Sequence, residues 1–253
     1  MSLVLLDVTD RVATITFNDP DRRNVFTSDM NTALIPVIDE VEARDDVGAI
    51  VVTGNGPHFS AGGHLDDLLD ARGDNDKLKM IYDGFLRLAH ASIPTVAAVN
   101  GAAVGAGMNC VLACDLIIAG EGSRFDSRFL QIAIHPGGGH TWRLRNRTDL
   151  QTVNAMVLFN EILSGPRAAE IGLAWRCVPD AELVSTAQEM AAKAASAPKG
   201  LSQKAKATIQ ATQSVMESLE SMELELEPQG WSMVQPEFEE FVDRLKSRIA
   251  AKK

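Results

Sequence analysis

Between Thr95 and Asp115 the sequence TVAAVNGAAVGAGMNCVLACD leaves the backbone few choices. Pro94 stops a helix from running in from before it. Val96, Ala97, Ala98 and Val99 are small and apolar and read as a buried strand. The chain then turns through Gly101, Gly105 and Gly107, with Ala and Val among them. It closes as a helix that is apolar on nearly every side, through Met108, Cys110, Val111, Leu112, Ala113 and Cys114. A strand, a glycine-rich turn and a buried helix start leave free backbone N–H groups at one point with no side chain in the way. Such a point binds negative charge, either a phosphate or an oxyanion that forms during a reaction.

The rest of the composition narrows the partners. A chain of 253 residues suits one domain, or one domain with an appendage. With 45% hydrophobic residues and only 5% aromatic, its core is expected to be built from Ala, Val, Leu and Ile. The net charge of -10 argues against a general nucleic-acid role, because no basic excess is present to neutralise phosphates. Cys110, Cys114 and Cys177 make no disulfide framework. Cys110 and Cys114, one helical turn apart on an apolar helix, read as buried inert thiols rather than a metal pair. The start, MSLVLLDVTD, has no basic region and no small-residue cleavage site, and no apolar run approaches a membrane span. The expectation is a soluble cytoplasmic protein without a metal.

Along the chain, Val4 to Val8 and Val12 to Phe17 read as a hairpin. A helix capped by Thr27 or Ser28 carries Met30, Leu34, Ile38 and Val41 at helical spacing, and Pro36 within it predicts a kink or a break. Ala49 to Thr53 reads as a strand buried on both faces, followed by a second backbone-exposing stretch, Phe59-Ser60-Ala61-Gly62-Gly63. Ala71 to Lys77 reads as a mobile surface loop, and Leu78 to His90 as a helix. Leu116 to Ala119 reads as a strand, Asp126 to Ala133 as a helical piece, and His135 to His140 as a third glycine turn. Met156 to Leu163 reads as helix, Ser164 as the cap of the next one, and Arg176 to Pro179 as a last short strand. From Leu183 the chain is helical and rich in Ala, Lys and Glu. Val215, Leu219, Met222 and Leu226 lie beside an acidic run, and Phe238, Phe241, Val242 and Leu245 follow Pro236. Such apolar stripes need cover from the core or from a neighbouring subunit.

Short strands alternating with helices and punctuated by glycine turns argue for an α/β fold. None of these turns matches a dinucleotide or Walker motif. As a set, though, they resemble the crotonase superfamily, the enoyl-CoA hydratase/isomerase family. FSAGGHL at 59–65 is similar to that family's F-x-A-G-A-D-L. IPTVAAVNGAAVGAGMNCVLACD at 93–115 is similar to its K-P-x-I-A-A-V-N-G-x-A-x-G-G-G-x-E-L-x-x-x-C-D. SRFDSRFLQIAIHPGGGHTWRL at 123–144 and ILSGPRAAEIGLAWRCVPDAEL at 162–183 resemble its two later motifs.

The resemblance implies a spiral of ββα turns (residues 1–193) with a helical C-terminal trimerisation region (residues 194–253), a homotrimer or dimer of trimers, and an acyl-CoA thioester as ligand. CoA then enters as part of the substrate, with no separate cofactor. The resemblance also assigns the glycine stretches. The N–H groups of Gly63 and Ala106 would converge on the thioester oxygen, and the backbone from Ala61 through Gly62 and His64 to Leu65 would hold adenine and pantetheine. Arg22 and Arg23 stand near the family's basic position, as rim charges for phosphate or as solvated arginines. The departures are at the acid and base. The two glutamates that hydratases of the family use would fall at Asn109 and Phe129, and neither side chain exchanges a proton at neutral pH. His64, His135 and His140 stand in the surrounding motifs with the right chemistry to replace them, or else as capping and channel-lining residues. Asp126 and Arg128 are expected to pair with each other. Two readings stay open: an enzyme that stabilises a thioester enolate, and an acyl-CoA binder that has lost its acid and base.

Overall fold

The computed structural model describes residues 2–250. β1 (Val4–Thr9) and β2 (Val12–Phe17) form the expected hairpin, in register from Val4 opposite Phe17 to Thr9 opposite Val12. Asp10 and Arg11 turn it with φ of 50° and 64°, the left-handed pair that matches the twist of the strands. α1 (Ser28–Ala43) starts where Thr27 Oγ1 accepts the Met30 N–H at 3.1 Å. It buries Met30, Leu34, Ile38 and Val41 and runs without a break through Pro36.

β3 (Ala49–Gly54) is buried throughout. After it come α2 (Leu65–Asp70), α3 (Asn75–Met80) and α4 (Asp83–Ala89), and here two expectations are corrected. The segment 71–77 is not all loop, because the Asp74 carboxylate accepts the N–H groups of Asp76 and Lys77, both at 3.0 Å, and starts α3 inside it. The single helix expected from Leu78 to His90 is two helices. Asn31 of α1 reaches across and donates to the carbonyls of Met80 and Ile81 at 3.4 and 3.3 Å, which takes those acceptors away from helix pairing.

β4 (Thr95–Val99), β5 (Ala102–Val104) and α5 (Ala106–Ala113) make up the glycine-rich stretch, so a short strand lies inside what read as a turn. Next come β6 (Leu116–Gly120), β7 (Arg124–Asp126), a 3-10 turn at Phe129–Ile132, α6 (His140–Arg145) and α7 (Leu150–Leu158). α7 stops short of the helix expected to Leu163, because Asn160 is left-handed at φ 57° and Leu163 enters a strand. β8 (Leu163–Ser164), α8 (Gly165–Glu170), β9 (Arg176–Val178) and α9 (Leu183–Ala195) follow. Ser164 Oγ caps α8 by accepting the Arg167 N–H at 3.3 Å.

The strands form two sheets. One has the order β1-β2-β3-β4-β6-β9 and is parallel after the hairpin, and the other has the order β5-β7-β8. β4 with β5, and β6 with β7, each give one strand to the large sheet and the next to the small one before a helix follows. That is a ββα spiral. One face of the large sheet is closed by α9, where Leu183, Ala187, Ala191 and Ala195 recur every fourth residue against Val12, Val51, Ala98 and Ile118. The core is aliphatic, as composition predicts, with one exception that matters for the site. Phe17 meets Phe26 and Phe59 edge-on, with centroids 5.1 and 5.4 Å away, all three fully buried. This knot anchors the segment that leads to Gly63.

The chain divides into two compact units at Ser196–Ala197. The second holds α10 (Lys199–Thr212), α11 (Ser218–Met233) and α12 (Pro236–Ala250). Within it Lys204 pairs with Glu227 at 3.5 Å and lies 4.9 Å from the centroid of Trp231. Leu219 and Leu226 of α11, and Phe241 and Leu245 of α12, are exposed.

Gly101 carries the chain from β4 into β5 at φ 59°, and a Cβ there would stand on the Pro57 carbonyl oxygen. Both the backbone conformation and the space reject a side chain. Gly101→Ala is therefore expected to lower unfolding free energy by about 3 kcal/mol in urea titrations, and a loss below about 1 kcal/mol would show that the turn relaxes.

Candidate active site

Residues 60–64 run between two neighbours. On one side Ser60 N–H donates to Ala102 O and Val104 N–H to Ser60 O, both at 3.0 Å. On the other side Phe26 N–H donates to Gly62 O at 2.8 Å and His64 N–H to Phe26 O at 3.0 Å. In that alternation the Gly63 N–H points away from Phe26, toward the side of β5 and α5, and among the described residues it donates to no backbone carbonyl. Gly62 makes the close approach possible: it has φ 101°, and a Cβ on it would lie 2.7 Å from Val104 O and 3.7 Å from Ala106 N. Ala106 is the first residue of α5, so its N–H has no partner inside the helix. Gly105 sets that helix start, at φ 49° and ψ -109°. Two free donors thus stand near each other at the positive end of a buried helix.

Both donors line a cavity of about 570 Å³, together with Asn109, Tyr82, Phe129 and His135. That volume is suited to an organic ligand. Ala61, Gly62, His64 and Leu65 line it as well. Tyr82 had no signal in the sequence; a Cβ on Gly137 would collide with its hydroxyl, and burial pushes its pKa up.

The two candidate arginines lie elsewhere, whereas His64, His135 and Arg128 line the cavity. Arg22 and Arg23 are not part of the cavity wall. Arg22 pairs with Asp19 at 2.7 Å, while Arg23 is exposed and left-handed, and its carbonyl accepts the Ala61 N–H at 2.9 Å. His64 stands at the start of α2, but its side chain does not cap the helix; Nδ1 meets Asp67 Oδ1 at 3.0 Å. His135 is exposed, with Nδ1 against the Pro136 carbonyl at 2.8 Å. Asp126 and Arg128 pair with each other. Among the described residues no group of three or more His, Cys, Asp or Glu is arranged around a metal position.

His140 is not part of the cavity wall; it is buried behind Asn109. Asn109 Nδ2 donates to the Gly137 carbonyl at 3.1 Å, which turns Oδ1 toward His140 Nδ1 at 2.7 Å. An amide oxygen can only accept, so Nδ1 carries the proton and Nε2 is left as an acceptor. Ser127 Oγ stands 2.9 Å from that Nε2 and donates to it. The Phe129 ring meets the imidazole edge-on with centroids 4.8 Å apart. Ser127 also lines the cavity. In sequence it is one serine in SRFDSRF with no nucleophile motif around it, and only the folded chain brings it to His140.

Burial of His140 without a carboxylate partner pushes its pKa from 6.5 down to about 4. The unfolded chain then takes up the proton more readily than the native one. The stabilisation from keeping this ring neutral is complete above pH 6.5 and is lost as the pH falls toward about 4. The whole effect is roughly 3 kcal/mol. Urea midpoints at pH 7 and pH 4 for the native chain and for His140→Gln isolate it, since the carboxylates and the other histidines are common to both. The native chain should lose more stability on acidification by about that amount; equal losses would mean that the imidazole is solvated.

The family model described as Enoyl-CoA hydratase/isomerase matches residues 7–247. The chain is 44% identical over 242 residues to the probable enoyl-CoA hydratase EchA14 of Mycobacterium tuberculosis, covering 93% of this chain and 94% of that one. It is 33% identical over 204 residues to the 1,2-epoxyphenylacetyl-CoA isomerase of Escherichia coli, covering 78% of each. It is 31% identical over 252 residues to a 4-chlorobenzoyl coenzyme A dehalogenase of an Arthrobacter species, covering 97% of this chain and 91% of that one. The crystal structure of an enoyl-CoA hydratase from Polaromonas sp. JS666 matches with a TM-score of 0.89 over 97% of both chains at 21% identity, a likeness of fold alone. The chain belongs to the enoyl-CoA hydratase/isomerase family of the crotonase superfamily.

Proposed function

We propose that this chain is an enzyme that acts on an acyl-CoA thioester and holds the thioester oxygen between the N–H groups of Gly63 and Ala106. The observation that carries this reading is the pair of unpartnered N–H groups on one cavity wall. Donors fixed in place stabilise charge that builds on the oxygen more than they stabilise the neutral carbonyl, which is what lowers a barrier. The named relatives, a hydratase, an isomerase and a dehalogenase, differ in reaction and share a CoA substrate. CoA is part of the substrate, with its adenine and pantetheine along the backbone of Ala61 to Leu65. Arg23 is the better placed of the two arginines for a phosphate, because Arg22 is already paired with Asp19.

Hydration by a pair of carboxylates is not part of the proposal, since Asn109 and Phe129 occupy the expected glutamate positions. That replacement favours a second reading, a non-catalytic acyl-CoA binder. Against it stands the place of the Ser127 hydroxyl, which is on the cavity wall and 2.9 Å from the acceptor nitrogen of His140. We further propose a homotrimer or dimer of trimers, in which the exposed apolar residues of α11 and α12 are covered. No helix among the described residues is long and apolar enough to cross a membrane.

Ala106→Pro tests the oxyanion site. Proline is accepted at the first position of a helix, yet it deletes the N–H. With crotonyl-, longer enoyl-, malonyl-type and saturated acyl-CoA as the panel, turnover of the active substrate should fall roughly 100-fold or more. Undiminished turnover would remove Ala106 from the mechanism, and tight binding without turnover by the native chain across the panel would establish the binder.

A further inference from the structure

A buried histidine needs partners on both ring nitrogens, and Asn109 and Ser127 would meet that need in any protein. Three features go beyond it. The first is polarity. The Asn109 amide is locked by the Gly137 carbonyl, so the proton sits on His140 Nδ1 and the free lone pair of Nε2 faces the Ser127 hydroxyl. That tautomer lets an imidazole take a proton from a serine. The second is position. β5 and β7 are parallel with Val104 opposite Asp126, and the Gly105 N–H donates to the Asp126 carbonyl at 2.9 Å. The next residues along each strand are Gly105 and Ser127, with strands about 4.8 Å apart. Ser127 and Ala106 thus leave neighbouring strand ends, and both line the same cavity. The third is the local backbone. Ser127 follows β7 at a sharp corner, because Arg128 is left-handed at φ 49° and the Phe129 N–H turns back to the Ser127 carbonyl at 2.7 Å. Asp126 and Arg128, on either side of it, are joined by an ion pair that braces the corner.

From this arrangement we propose that Ser127 is a nucleophile, with His140 as its base and Asn109 as the residue that orients the imidazole, and that the chain hydrolyses acyl-CoA through an acyl-serine. The proposal rests on the reading of Gly63 and Ala106 as the thioester oxygen site. Ser127 Oγ bonds to the thioester carbonyl carbon as its proton passes to His140 Nε2, and the carbonyl electrons move onto the oxygen held by the two N–H groups. The oxygen re-forms its double bond, the C–S bond breaks, and the CoA sulfur leaves with the proton from His140. Water then attacks the acyl-serine and gives a proton to Nε2. Ser127 Oγ leaves and takes that proton back, so a carboxylic acid and CoA thiol are released and the enzyme is restored. Thioester and water are consumed, and no oxidant or reductant is required.

Saturated acyl-CoA substrates test this cleanly, because they have no double bond to hydrate or move. Acetyl-, butyryl- and decanoyl-CoA are mixed with the native chain, free thiol is followed with a chromogenic thiol reagent, and acid-quenched samples are analysed by intact mass and peptide mapping. A CoA analogue with a methylene group in place of the thioester sulfur, titrated by calorimetry, reports binding alone. The expected result is release of CoA with at least one substrate and an acyl mass on the peptide that contains Ser127. Ser127→Ala and His140→Gln should lower release by roughly 100-fold or more while analogue affinity stays within about threefold. Ser127→Cys, a near-isosteric variant that keeps a nucleophile, should move the acyl group to its thiol. Release that survives in Ser127→Ala, or an analogue that binds the native chain with neither release nor adduct from any substrate, would overturn the serine proposal and leave the oxyanion site standing. If the native chain binds neither analogue nor substrates, the oxyanion reading fails and takes this proposal with it.

Discussion

The hydrogen bond from the Gly105 N–H to the Asp126 carbonyl, 2.9 Å long, holds the two halves of the site together. It belongs to the last pair of the β5–β7 ladder, Val104 with Asp126. Beyond it the two chains part: Ala106 starts a helix, and Ser127 follows the end of β7. Side chains on a strand alternate between faces, so a slip of one residue in this short ladder would turn Ser127 away from His140 and change which amide lies at the cavity. A ladder of three pairs is a weak register on its own. It is reinforced from the far side, where Phe125 pairs with Leu163 of β8 and Ser60 bridges to Ala103.

That small sheet is set against a large one whose centre is closely packed. Its central strands β3 and β4 are fully buried, and the face toward α9 is filled by alanine and valine, which let helix and sheet approach closely. Gly48 shows how close, since a Cβ there would lie 2.8 Å from Ala195 Cα. On the opposite face Phe17, Phe26 and Phe59 hold the entry to residues 60–64. The Gly63 donor is thus set by an aromatic knot in one part of the core and the Ala106 donor by a helix start in another. The bond pair between Ser60 and β5 joins the two.

Much of this was legible in the chain, for reasons particular to each element. Strands buried on both faces read as unbroken apolar runs, and Ala49 to Thr53 and Val96 to Val99 were found that way. Glycines announce positive φ or close approach: Gly62 uses both, and Gly105 uses the positive φ alone, with open space where a Cβ would stand. Local capping was legible too, at Thr27 and Ser164. What failed was what depends on a distant partner. The break between α3 and α4 is made by Asn31, 50 positions away from Ile81 in sequence. Leu163 pairs with Phe125 across the small sheet, and no local pattern shows that. The same limit explains the site. His140 could be noticed as a histidine at a glycine turn, but its distance from the cavity wall, and the serine that meets it, exist only after β7 and α6 have packed.

Asn109 and Phe129, which stand where the resemblance expects the two glutamates, also make the neutral chain possible. A carboxylate at position 109 would face the His140 ring at hydrogen-bond distance and draw a second charge onto the imidazole, so that a buried ion pair would form behind the cavity. Taking two charges out of water is costly. Asn109 supplies the same orienting oxygen without the charge. Its amide nitrogen, tied to the Gly137 carbonyl, keeps that oxygen turned to the ring. Phe129 acts in the same direction, since its edge contact with the imidazole excludes water that would otherwise solvate a protonated ring. The ground state of Asn109, His140 and Ser127 therefore holds no charge at all. In the proposed reaction, charge arises only during turnover, on an oxygen between the two N–H groups and briefly on His140. Fixed donors act most strongly where they need not reorganise and where little solvent competes for the charge that appears.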